Sequence, residues 1–143
     1  MRAEKSITIN DGGKDKTFRI KQMSAVKAQR WLFKLILLIG GNATLTGGEE
    51  GWGNLLSSVA DKPYDKVDEL LNELTSCCTA VLDEGRAFQQ LSLSNADSFI
   101  EDMGTLMQLQ KEAFTLNDFF GGIGMTGSGI FPGPEIPTIK RQK

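Results

Sequence analysis

The residue types that most often carry chemistry are scarce in this sequence, and those present are poorly spaced for it. The chain has 143 residues and no histidine. That removes the usual general base at neutral pH and a common metal ligand. Its two cysteines, Cys77 and Cys78, are neighbours. A disulfide is hard to close across one peptide bond, and no wider cysteine framework exists, which points to a reducing compartment. A metal site would need further ligands at ligand spacing. A thiol nucleophile would need an electropositive, exposed setting, whereas the neighbours here are Thr75, Ser76 and Thr79. Within an apolar stripe both cysteines read as small core residues.

Carboxylates pair at Asp83-Glu84 and Glu101-Asp102. A hydrolase would set two such groups across a cleft. Both pairs fall near predicted helix ends, and the helix dipole accounts for Glu101-Asp102 in a first turn. The glycine-rich segment Gly47-Gly48-Glu49-Glu50-Gly51-Trp52-Gly53 carries two carboxylates and no lysine, so it does not read as a phosphate cradle. Gly121-Gly122-Ile123-Gly124 follows a predicted helix instead of opening one, the reverse of the order phosphate binding needs. No nucleophile–base set is visible. The expectation is a protein that is not an enzyme and uses no metal and no cofactor.

Charge narrows the partners. With 16 basic and 18 acidic side chains the net charge is -2, without the cationic surplus that phosphate neutralisation requires. Lys140, Arg141 and Lys143 cluster at one end and read as a solvated terminus. Nucleic acid is therefore not an expected partner. Residues Met1 to Ser6 lack the apolar core of a signal peptide. The apolar run Leu35 to Ile39 is bounded by Lys34 and by Gly40-Gly41, far short of the about 20 residues a spanning helix needs. The expectation is a cytoplasmic protein with no membrane segment.

The elements that position these residues follow from periodicity. Ile7 and Ile9, then Phe18 and Ile20, alternate with polar residues around a turn at Asp11–Lys16, which predicts an antiparallel hairpin with one apolar face. Ser24 suits the N-cap of a helix running to Ile39 and stopped by Gly40-Gly41. Ala25, Ala28, Leu32, Leu35, Ile36 and Ile39 share its core face, and Lys27, Arg30 and Lys34 share another. Residues 40–53 read as a loop, followed by a short helix around Leu55, Leu56 and Val59. Pro63 suits the first turn of a long amphipathic helix whose stripe runs Val67, Leu70, Leu71, Leu74, Cys77, Cys78 and Val81, ending at Gly85. Arg86 to Leu93 is open between a third strand and a connector. Ser94 or Asn95 caps a final helix to Phe120, with Phe99, Met103, Leu106, Leu109 (or Gln110), Ala113 and Leu116 on its stripe. The glycine- and proline-rich residues 121–143 cannot bury enough surface to offset their ordering entropy and read as a flexible tail. The fold class is α+β, mostly α: an N-terminal β-hairpin, with or without a short third strand, on a bundle of three to four helices. Residues 1–120 form one domain.

The composition leaves more large apolar side chains than one core stripe needs. Trp31, Phe33, Leu37 and Leu38 crowd the first helix, and Phe114, Phe119 and Phe120 end the last one. These seven are candidate partner-binding residues, forming a groove for an apolar helix of another protein.

Three blocks together resemble the tail assembly chaperones of long-tailed, siphovirus-type bacteriophages. The first runs from strand to helix, Thr17-Phe18-Arg19-Ile20-Lys21-Gln22-Met23-Ser24-Ala25 and on to Arg30-Trp31. The second is the amphipathic middle helix ending near Leu82. The third is Ile100-Glu101-Asp102-Met103-Gly104-Thr105-Leu106 with Leu109-Gln110-Lys111-Glu112. The resemblance covers residues 6–120. It implies a protein that binds the tape measure protein and promotes tail tube assembly in the host cell cytoplasm, and that is absent from the mature virion. It also implies contact with tail tube protein, in many phages through a longer frameshifted product whose join would fall within residues 121–143, and allows a homo-oligomer. The alternative reading is a structural tail or head–tail connector subunit built into the particle. A small nucleic-acid-binding regulator is disfavoured by charge.

Overall fold

Gly12 and Gly13 both take positive φ, 64° and 90°, the sign that a two-residue hairpin turn needs to match strand twist. In the computed structural model, which describes residues 2–40 and 48–119, they join β1 (Glu4–Asp11) to β2 (Lys14–Lys21). Asp11 sits opposite Lys14 and Ile7 opposite Phe18. The turn is tighter than the six-residue one expected, because two glycines suffice.

Helix α1 (Ala25–Ile39) matches its predicted bounds. The Ser24 hydroxyl accepts from the Lys27 N–H at 3.4 Å, and Gly40 at φ 86° closes the helix on Ile36. Helix α2 (Gly48–Val59) corrects the expectation of a loop to residue 53. Trp52, Leu55 and Val59 fall at helical spacing and are buried. That burial outweighs a penalty of about 1 kcal/mol for each interior glycine. Residues 41–47 of the expected loop lie outside the described residues.

The long middle helix is also corrected. Helix α3 (Tyr64–Thr75) stops early, and Cys78–Leu82 form a strand, β3. Pro63 sits at the N-cap, one residue before the helix. At the other end the Thr75 hydroxyl donates to the Leu71 carbonyl at 2.8 Å and that of Ser76 to Glu73 at 2.7 Å, occupying last-turn acceptors. The open edge of β2 then takes the chain: Phe18 pairs with Ala80 and Ile20 with Cys78. Residues 78–82 read equally as a helical stripe or as alternation, and an available sheet edge decides for the strand.

Strand β4 (Ala87–Gln90) completes an antiparallel meander in the order β1-β2-β3-β4. The segment left open in the sequence is thus partly a strand, and the sheet has four strands, beyond the hairpin with at most one more. Asp83 and Glu84 turn the chain with left-handed φ of 53° and 56°. The expected final helix is interrupted: a 3₁₀ turn at Ala96–Ser98 precedes α4 (Met103–Asn117).

The fold is α+β, with four helices among the described residues. Phe18, Ile20, Cys78 and Ala80 bury on one face of the sheet, in a single cluster with Trp31, Leu35, Leu74, Leu109 and Ala113. Helix α4 is central, meeting α2, α3, β1 and β2. Among the described residues no helix is long and apolar enough to cross a membrane.

Candidate functional site

The core takes three of the seven candidate partner-binding residues. The Trp31 ring stacks on Phe119 with centroids 4.2 Å apart, tilts against Phe114 at 6.1 Å, and donates its indole N–H to the Leu70 carbonyl at 3.0 Å. Trp52 meets Phe114 at 5.6 Å. Trp31, Phe114 and Phe119 are all buried, so they are not the surface side chains the sequence suggested. Their job in this structure is to join α1, α2 and the end of α4. Phe120 lies outside the described residues.

Of the other three, Phe33 and Leu37 stay outside, joined there by Val26. On α1, Val26 is 57 %, Phe33 44 % and Leu37 84 % exposed. At 100° per residue, positions 26, 33 and 37 fall within a narrow stripe opposite Trp31 and Leu35, the two buried residues of the helix. This is an apolar second face on a helix whose first face is already in the core. Leu38 is half-buried. With Leu37 and Leu70 it lines a groove between α1 and α3 whose rim carries Lys34, Lys66 and Glu69. Lys34 clamps the two helices, at 2.8 Å from Glu69 and 2.5 Å from Glu73. The hydrogen bonds Lys34 donates to Glu69 and then Glu73 raise its pKa, and the same contact lowers that of Glu69. The result is an apolar ridge and groove edged by charge, the form of surface that takes up an amphipathic helix.

Sequence reasoning missed the polar residues that hold this surface in place. The predicted stripe of α4 is shifted: Met103 is exposed, while Thr105 and Asn117 are buried with Leu109, Ala113 and Gln110, the position the sequence offered as an alternative to Leu109. Asn117 accepts from the Met23 N–H at 2.7 Å and donates to the Ala113 carbonyl at 2.7 Å. Gln110 donates to the Thr75 hydroxyl at 3.2 Å. Apolar periodicity does not register a buried amide whose partners lie about 35 to 94 positions away. Asp11, read as a turn residue, is fully buried. It accepts from the N–H groups of Glu101 (2.8 Å) and Asp102 (2.9 Å) and pairs with Lys16 at 2.7 Å. Burial pushes its pKa up, but Lys16, those two N–H groups and Thr105 outweigh burial and hold the carboxyl well below its ordinary value.

Cys77 and Cys78 are both free and buried. Desolvation raises each pKa, with an Asn117 contact partly offsetting it at Cys77. Both therefore stay as thiols at neutral pH, a poor state for a nucleophile. Among the described residues no group of three or more His, Cys, Asp or Glu is placed to hold a metal ion. The class the described residues define is a small α+β domain with an exposed apolar ridge on its first helix.

Residues 12–126 match the family described as "Phage tail assembly chaperone protein, TAC". The match spans most of the chain, and the chain belongs to that family. No curated protein and no solved structure matches it.

Proposed function

We propose that this chaperone acts on the tape measure protein, holding an amphipathic helical segment of it against the outer face of α1 while tail tube subunits assemble around it. The observation that carries the reading is the exposed stripe Val26, Phe33 and Leu37, placed opposite a complete core face on the same helix. Leaving such a stripe in water is unfavourable, and covering it with a client helix recovers about 25 cal/mol for each Å² of apolar area removed from water. The groove with Leu38 and Leu70 extends the stripe toward α3. Such a protein works in the host cell cytoplasm, needs no cofactor and catalyses no covalent step. It meets tail tube protein directly or through a longer frameshifted product, and it leaves before the virion is complete.

Co-expression with the candidate tape measure protein of the same gene cluster tests the reading. The two should co-purify, and the tape measure protein should move from the pellet to the soluble fraction. Failure of both, or abundant copies of this chain in mass spectra of purified virions, would overturn it in favour of a structural subunit.

A further inference from the structure

The cations of this chain are unevenly partnered. Lys5, Lys16, Lys34, Lys62 and Arg86 each lie within ion-pair distance of a carboxylate. Arg2, Lys14, Arg19, Lys21, Lys27, Arg30 and Lys66 have no such partner among the described residues. Four of them, Arg2, Arg19, Lys21 and Lys27, gather in one region. Arg19 and Lys21 alternate with the core residues Phe18 and Ile20, so they stand on the sheet face turned away from the helices. Arg19 lies over the Phe88 ring, 4.6 Å from its centroid. Arg2, Lys21 and Lys27 line one concavity with Met23, Phe88 and Gln90. Among the described residues no Asp or Glu lines it, and Glu4, opposite Lys21 in register, forms no ion pair with it.

The frame around the concavity is tied by hydrogen bonds. The Lys21 N–H donates to the Cys77 carbonyl at 2.9 Å and the Gln22 N–H to Ala3 at 2.8 Å. The Gln90 side chain donates to the Ser76 carbonyl at 2.8 Å. Helix α1 opens beside it with no acidic residue in its first turn, so its positive dipole end adds to the field.

We propose that this concavity docks an acidic peptide segment of a partner protein, with carboxylates on Arg2, Lys21 and Lys27 and an apolar side chain on the exposed Phe88 ring. The mixed lining favours a peptide over nucleic acid. A phosphate backbone would follow a track of cations, whereas these converge on one hollow of a chain whose net charge of -2 opposes a long polyanion. The residues are separate from the outer stripe of α1, so this site and client capture can fail independently.

Fluorescence anisotropy with a short dye-labelled peptide of glutamates interspersed with leucine and serine tests the site on the full chain. The peptide should bind, and the double variant Lys21→Glu with Lys27→Glu should weaken it by about tenfold or more, as charge reversal at a complementary surface does. Raised salt should weaken it as well. Arg86→Glu, at the β3–β4 turn, and Leu37→Asp should bind like the parent. No binding to the parent, equal binding by the double variant, or tighter binding of an oligothymidylate of equal charge would overturn the proposal. Circular dichroism checks that the charge-reversed variant is folded. Lys21→Gln with Lys27→Gln, which should also lose affinity, replaces it otherwise.

Discussion

Asp11 and Asp102 tie the first hairpin to the start of the last helix. The Asp102 N–H donates to Asp11 Oδ1 at 2.9 Å, and the Asp102 carboxylate in turn accepts from the Gly12 N–H at 2.9 Å. Asp102 holds the N-cap position of α4, yet its side chain makes no capping bond within the helix. A buried carboxylate from 91 residues earlier reaches that end of the chain instead. This is why the predicted helix from Ser94 is broken before Met103, and it fixes α4, the central helix, against the sheet.

Asp11→Asn should destabilise the fold by about 2–3 kcal/mol at neutral pH, since it leaves Lys16 half-buried without its charge partner. The sign of the pH dependence follows from the depressed pKa of Asp11. A carboxyl held below its unfolded value stabilises at neutral pH, and that contribution is lost as pH falls through about 4 and below. Urea melts at pH 7 and pH 3 should show the gap between parent and variant narrowing in acid.

Asn117→Ala should cost about 1–3 kcal/mol, because the buried Met23 N–H loses its acceptor. Asn117→Asp keeps an acceptor for Met23 but sets a carboxylate against the Ala113 carbonyl, and should be worse than the alanine. Chemical denaturation of the three proteins gives the order directly.

The Lys34 clamp should matter little to stability. Its side chain and that of Glu69 are 43 % and 50 % exposed, and exposed pairs contribute little because solvent screens them. Lys34→Met should therefore shift the melting midpoint only slightly, and 1 M salt should shift the parent by a similar amount. Trp31→Ala, by contrast, empties the centre of the aromatic cluster and should cost about 3–5 kcal/mol.

Much of this was legible in residue order. The hairpin, α1 with its Ser24 cap, and the burial of Cys77 and Cys78 follow from local pattern. The division of 64–82 into helix and strand did not, because Cys78 to Leu82 fit either the end of a helical stripe (74, 77, 78, 81) or an alternation (78, 80, 82), and only the free edge of β2 breaks the tie. The strand at Ala87–Gln90 exists for the same reason, templated by β3. On the candidate surface, Phe33 and Leu37 were correctly marked as surplus to the core stripe, whereas Trp31, Phe114 and Phe119 could not be told from them. Large apolar side chains on a helix read alike until the neighbouring helix is placed.

Leu37→Asp should leave stability within about 0.5 kcal/mol of the parent, because the side chain is 84 % exposed and contributes little to the core. Phe33→Asp should be a little more costly, its ring being about half covered. Both changes remove apolar surface only from the outer face of α1.

The decisive measurement is therefore the amount of tape measure protein recovered with Leu37→Asp, Phe33→Asp and the parent when each is co-expressed with it, alongside thermal melts of each purified chain. The account predicts parent-like melting for Leu37→Asp with at least about a tenfold loss of recovered client, the scale of an apolar anchor worth about 1.4 kcal/mol or more. Full recovery of the client by both folded variants would contradict it and would place the client elsewhere on the protein.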